Sequence, residues 1–422
     1  MMKALCAVLC LILAGQLDAG PVSGSEAGDI DVIIASSDPQ TYIQAIENGE
    51  FSGAQAELLR GKLAAMLNRG EEAESRLSDV LVDEAVPPHL RRAAGLTLAG
   101  VRLRAGAYGG SADAFDAASA ADGEALEPLE RQARDFAAAL RDEPPMGREA
   151  LVAASVSVRR DMAGLPRTRV RVNGRRQEMV LDTGAAFSTV TESTAERLGL
   201  RMLEAEITVG SSVDEAVASR LAVAERLDFG GVIFHNVVFI VLPDSALSFA
   251  GGVYRIPAIL GLPVFAQLER LRMTPDGRRE TLQFEPSPGS EQPPNMVLEG
   301  MRPVALVAAG EGEAPLRLLI DTGARSTLLH HSAEEVIAEL FQTVSAAPTR
   351  YAGAGGVVRD EDALSLPVLP LMIAGQRVTL EDVRVVSRQQ GRLHGLLGQD
   401  VLRARQGYLI DFIAMRLELL DD

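Results

Sequence analysis

From about residue 37 to 142 apolar positions recur every three to four residues, in 54–67, 73–82, 90–103 and 112–118. That spacing keeps one face of a helix apolar. Gly70, Pro87-Pro88, Gly106, Gly109-Gly110 and Pro144-Pro145 punctuate the pattern, as helix ends require. The stretches 63–81 and 96–118 each read as two helices across a short turn. Small residues, Gly61, Ala73, Ala99 and Ala118, stand where such helices would approach closely. Two readings fit this region: stacked helix-turn-helix units or a small helical bundle.

After Pro145 the period changes from 3.6 to 2. Val170 and Val172 alternate with Arg169 and Arg171, Asn173-Gly174 supplies a hairpin turn, and Met179-Val180-Leu181 forms the returning strand. Short β-branched runs and glycine turns dominate from there on. A polar, proline-rich stretch, 285–296, splits this region in two and reads as a linker. The halves on either side share one plan. Met179-Val180-Leu181-Asp182-Thr183-Gly184-Ala185 answers to Leu318-Leu319-Ile320-Asp321-Thr322-Gly323-Ala324. Each is followed by a short helical segment (193–198, ended by Gly199, and 332–340), then an apolar strand (232–242 and 378–386). Ile259-Leu260-Gly261 and Leu396-Leu397-Gly398 come next, with Asp-to-Gly separations of 79 and 77 residues. A final strand closes each half, at 282–284 and 409–419.

The bulk properties narrow the function. The 422 residues suffice for several domains, and 47% hydrophobic content suits globular cores of Leu, Val, Ile and Ala, since Trp is absent. A net charge of -17 argues against nucleic acid and against anionic membrane surfaces as partners. Lys3 followed by the apolar run 4–14 and then small residues reads as an export signal, with cleavage expected after Ala19 and a linker over 20–36. The run is too short to span a bilayer comfortably, so no span is expected once the signal is removed. Cys6 and Cys10 are the only cysteines and lie within that signal, so the mature chain would have neither disulfides nor a cysteine metal site. The five histidines show no H-x-x-x-H spacing, and no metal or other cofactor is expected.

The chemistry lies in the repeat. An Asp on a tight turn after a buried strand is held rigidly with its carboxyl outward, and glycine lets the backbone approach closely. The Thr hydroxyl can reach the partner turn. Pseudo-twofold pairing of two such turns would bring Asp182 and Asp321 together, so that they share one proton. One carboxylate can then act as general base on a water and the other as general acid. On these motifs, residues 165–420 resemble bacterial retropepsin-type aspartic peptidases, duplicated and fused into one chain. With the helical region, 37–145, read from periodicity, the chain is expected to be a multidomain α and β protein, and the resemblance implies that the rest is an all-β bilobal acid-protease fold with lobes at 160–284 and 297–422. It makes Asp182 and Asp321 catalytic, Thr183, Gly184, Thr322 and Gly323 their turn supports, and Gly261 and Gly398 part of a psi-shaped loop behind each turn. The helical region in turn weakly resembles tetratricopeptide repeats and offers a surface for a protein partner.

Two features depart from the family pattern. Ala186 and Arg325 follow the two motifs where Asp or Ser is common in relatives. Arg325 reads best as a buttress of the lobe interface. Substrate-covering hairpins, or flaps, would come from Val209-Gly210-Ser211-Ser212 and from Ala352-Gly353-Ala354-Gly355-Gly356, each of which could equally be a plain surface hairpin. His330-His331, at a helix start, reads as surface capping. The expected function is an exported, periplasmic or secreted aspartic endopeptidase acting on peptide or protein substrates. The alternative is a catalytically silent peptide-binding or scaffold protein that uses the helical domain and the interlobe cleft.

Overall fold

The computed structural model describes residues 6–7, 11–12, 30–211, 217–310, 314–353, 356–387 and 391–421. They form two compact units. One is helical and holds 30–145 with Val297–Met301, and the other is the β unit, which holds the rest. Among the described residues no helix is long and apolar enough to cross a membrane.

The helical unit is a run of consecutive helices in which each packs on the next: Ile30–Ala35, Pro39–Glu47, Gly53–Met66, Gly70–Val82, Pro88–Arg104, Tyr108–Asp122 and Pro128–Ala139. Prolines at the first turns of three of them cost no hydrogen bond there. Asp38 accepts the Gln40 N–H, and Glu127 with Glu130 forms a reciprocal cap. Close packing depends on the small residues. A Cβ on Gly95 would lie 2.8 Å from the Ala118 side chain, and one on Gly61 would lie 2.7 Å from Leu77. The first helix, Ile30–Ala35, falls inside the stretch 20–36 that the sequence reading assigns to a linker. Its Ile30, Ile33 and Ile34 are buried at i, i+3, i+4, a helical stripe too short to stand out against its polar surroundings.

The β unit contains two closed barrels. In the first lobe Pro166–Val172 alternates buried and exposed positions and pairs with Arg175–Leu181 across Asn173-Gly174, where both residues have positive φ. That is the type I′ geometry that matches strand twist. The barrel closes where Arg171 and Val172 pair with Asp228 and Leu227. In the second lobe closure comes from Ala308 and Ala309 against Met372 and Leu371. The cores are aliphatic and Phe-filled, with Val180, Phe234, Phe239 and Phe265 in the first and Leu318, Leu329, Leu369 and Val385 in the second, all buried.

The lobes share a sheet. Ala154–Arg160 pairs with Arg279–Glu285, which pairs with Arg270–Asp276, and that strand pairs with Tyr408–Asp411 of the second lobe. The first lobe therefore draws on strand residues before the boundary at 160. Likewise 409–419 is not one strand but a hairpin, Tyr408–Asp411 with Arg416–Leu419, turning at a positive-φ Met415. Between the lobes, 286–295 carries no regular element.

Candidate active site

Each aspartate follows the apolar, buried end of a strand, Met179–Leu181 or Leu318–Ile320. The first strand runs Arg175–Leu181 and the second Leu316–Ile320. Behind each turn runs a short strand, Ala258–Leu260 or Gly395–Leu397. It pairs parallel with the aspartate's own strand and antiparallel with the strand that follows the turn. The same backbone bonds recur in both lobes. Asp182 N–H donates to Leu260 O and Asp321 N–H to Leu397 O, both at 3.1 Å. Leu262 N–H donates to Ala185 O and Gln399 N–H to Ala324 O. Gly261 and Gly398 are required by closeness rather than by φ. A Cβ there would lie 2.5 Å from the Phe187 carbonyl carbon or 2.6 Å from that of Ser326.

The two turns meet through their threonines. Thr183 Oγ1 donates to Ile320 O (2.6 Å) and accepts the Thr322 N–H (3.1 Å). Thr322 Oγ1 donates to Leu181 O (2.9 Å) and accepts the Thr183 N–H (3.0 Å). Every one of these four bonds crosses between lobes and is buried. The glycines of the two motifs face the opposite carboxyl. A Cβ on Gly184 would stand 2.8 Å from the Asp321 carboxyl carbon, and one on Gly323 would collide with the Asp182 carboxyl. Only glycine leaves room for both acids.

Asp182 and Asp321 are fully buried. Asp182 Oδ1 accepts the Gly184 and Ala185 N–H groups at 2.9 and 3.1 Å. Burial nevertheless pushes the Asp182 carboxyl well above the usual carboxylate range, and the Asp321 charge and a hydrogen bond with Asp321 act in the same direction. Two carboxyls so placed share a proton over a wide pH range.

Several supporting groups were not singled out as site residues from the sequence. Asp400 accepts Thr327 N–H and hydroxyl (2.9 and 2.7 Å), and the Thr327 hydroxyl accepts the Gly398 N–H. In the first lobe Ser188 Oγ accepts the Gly261 N–H. Gln399 Nε2 donates to Thr322 O at 2.7 Å. The signal for Asp400 was its place two residues after the psi-loop glycine, where the first lobe has Pro263.

Arg325 is exposed and makes no ion pair among the described residues, and its aliphatic stem lies beside the Gly164 turn of the first lobe. His330 is a correction to the reading as surface capping. It is buried at the end of a strand, with Nδ1 donating to Leu393 O, and only His331 is exposed. Gly210 lies in the strand Arg201–Ser211, which pairs with Val217–Phe229. Gly353 and Gly356 form the closing pair of the hairpin Thr349–Gly353 with Gly356–Asp360. Gly355 and Ser212 lie outside the described residues. Cys6–Ala7 runs parallel to Tyr351–Ala352, and Leu11–Ile12 runs antiparallel to Gly210–Ser211.

Residues 168–264 match the family model described as aspartyl protease, a segment that includes Asp182 and Gly261. No curated protein matches the chain. The crystal structure of a retropepsin-like aspartic protease from Rickettsia conorii aligns over 33% of this chain and 96% of its own, at 16% identity and a TM-score of 0.22. The first lobe is thus similar in sequence to the aspartyl proteases, and the chain combines an N-terminal helical region with a bilobal all-β region of two closed barrels.

Proposed function

We propose that the protein is an exported aspartic endopeptidase that hydrolyses peptide bonds through Asp182 and Asp321. The observation that carries this reading is the pair of fully buried carboxyls, each against the glycine of the other lobe's motif, on two turns locked together by four interlobe bonds. Burial and the neighbouring Asp321 charge favour the shared proton on Asp182, so the general base is assigned to Asp321. Asp321 takes a proton from a water as its oxygen attacks the scissile carbonyl carbon, and Asp182 donates its proton to the carbonyl oxygen. The gem-diol then collapses. One hydroxyl proton returns to Asp182, the proton on Asp321 passes to the amide nitrogen, and the C–N bond breaks. The pair ends in the state in which it began.

The two hairpins are suited to hold the substrate as an added strand. Pairing of both with short extended stretches, at Tyr351–Ala352 and Gly210–Ser211, supports that role. The Lys3-led apolar N-terminus supports export to the periplasm or beyond. Stacked helix pairs in the N-terminal unit suit a tetratricopeptide-like surface for a protein partner.

Incubating the purified protein with a peptide library from acidic to neutral pH, beside Asp182→Asn and Asp321→Asn, tests the proposal. Cleavage by the wild type that either substitution abolishes is the expected result. Peptide binding without cleavage at any pH would assign the chain to silent peptide binders instead.

A further inference from the structure

On the shared sheet, away from the dyad, a cavity of about 160 Å³ is lined by Arg160, Arg278, Arg279, Arg403, Arg405 and Glu280. It is several times the roughly 30 Å³ a water occupies in the liquid. In a chain of net charge -17, five arginines and one glutamate lining one cavity are a local reversal of sign. Glu280 is buried and already engaged. It takes Arg160 Nε at 2.6 Å and Arg403 Nε at 2.9 Å. One carboxylate cannot neutralise five cations.

The remaining donors are poorly supplied. Arg160 Nη1 donates to Gly164 O, but Arg160 Nη2 is buried with no partner. Arg278, in the turn of the hairpin Arg270–Asp276 with Arg279–Glu285, makes no ion pair among the described residues. Arg405 Nη2 reaches only the Arg377 carbonyl, and Arg279 Nη1 a hydroxyl, Ser157 Oγ, at 3.4 Å. Guanidinium cannot shed its proton, so a bound counter-charge would relieve whatever repulsion solvent and salt leave unscreened. Its planar fork fits paired oxygens of one anion.

We propose that this cavity binds a small multivalent oxyanion of the phosphate class. Arg160, Arg278 and Arg279 belong to the first lobe, and Arg403 and Arg405 to the second. A single anion held by both sets would clip the lobes together at the shared sheet, opposite in kind to the neutral threonine bonds at the dyad. A ligand that binds only the folded state stabilises it by mass action. The site does not depend on peptidase activity.

The test is calorimetric titration of the full chain with inorganic phosphate, against chloride at matched ionic strength, for the wild type and for the double variant Arg278→Gln/Arg405→Gln. Both side chains are exposed, so the variant is expected to fold, which its Tm in chloride checks. Saturable binding of one phosphate, weakened at least about tenfold in the variant, is the expected result, given the strength of charge-assisted bonds. Heats that do not saturate, a response that chloride reproduces, or unchanged affinity in the variant would each overturn the proposal.

Discussion

Replacing Thr183 by Val exchanges a hydroxyl for a methyl of nearly the same shape. It removes the donor to Ile320 O (2.6 Å) and the acceptor for Thr322 N–H (3.1 Å), two buried backbone groups of the other lobe. A buried polar group left without a partner costs about 1–3 kcal/mol, so two cost about 2–6 kcal/mol. The added methyl returns about 0.8 kcal/mol. A net loss of about 3 kcal/mol follows, or a fall in Tm of about 6–12 °C for a unit of this size. Thr183→Ser keeps both bonds and loses only a methyl, about 1 kcal/mol. Urea unfolding of the three proteins at one pH measures the difference. Peptide cleavage, read at a temperature where all are folded, is expected to fall further for Val than for Ser, because the turn that aims Asp182 has lost its anchor. If Val and Ser variants unfold within about 0.5 kcal/mol of each other, the cross-lobe bonds contribute nothing net and the reasoning is wrong.

Asp182→Asn is expected to abolish cleavage yet stabilise the protein at neutral pH. The folded-state pKa of Asp182 lies above the unfolded value near 4, so the wild type loses stability as pH rises past about 4, and the urea midpoint of the variant should lack that decline. Gly261→Ala puts a Cβ 2.5 Å from the Phe187 carbonyl carbon and should cost about 2 kcal/mol or more; an unchanged melting temperature would show that the psi-loop is looser than described. Burial pushes the His330 imidazole down to about 4, below an unfolded value near 6.5. Stability tied to His330 is therefore present above about pH 6.5 and falls by about 3 kcal/mol by pH 4. His330→Asn keeps an N–H near the Leu393 carbonyl and should flatten the urea midpoint between those limits.

The two lobes could be read from the sequence because their defining signals are local and occur twice. Asp-Thr-Gly-Ala after an apolar strand, Asn173-Gly174 at a hairpin, and an apolar pair before Gly261 and Gly398 each constrain a few neighbouring residues. What escaped depends on distant pairing. Nothing near Arg270 announces that Arg270–Asp276 will pair with Tyr408–Asp411 across the lobes, nor that Arg160 and Arg403 will meet on Glu280. His330 looked superficial beside His331 because a strand end and a helix start share one polar dipeptide. Burial there is decided by Leu393 and His394, more than sixty residues away.

The pseudo-symmetry is kept in the backbone bonds of each turn and in the bonds that cross between lobes, and relaxed in the side chains that support each psi-loop. Each threonine anchors the other lobe's turn, so a change in one damages both, and the four bonds match in partner and in length to within 0.5 Å. Anchoring of each psi-loop is internal to its lobe, and there the solutions differ. The second lobe uses Asp400 to orient Thr327 toward the Gly398 N–H. The first has Pro263 at the corresponding place and relies on Ser188 alone. A charge-assisted acceptor is stronger than a neutral one, so the second turn is the more firmly held. Asp400→Asn should therefore loosen the loop behind Asp321 without touching the threonine bonds. Hydrogen exchange separates the two effects: the Gly398 amide should lose protection in that variant while the Thr183 and Thr322 amides keep theirs. Equal loss at all three would mean that the turns and their psi-loops open as one unit.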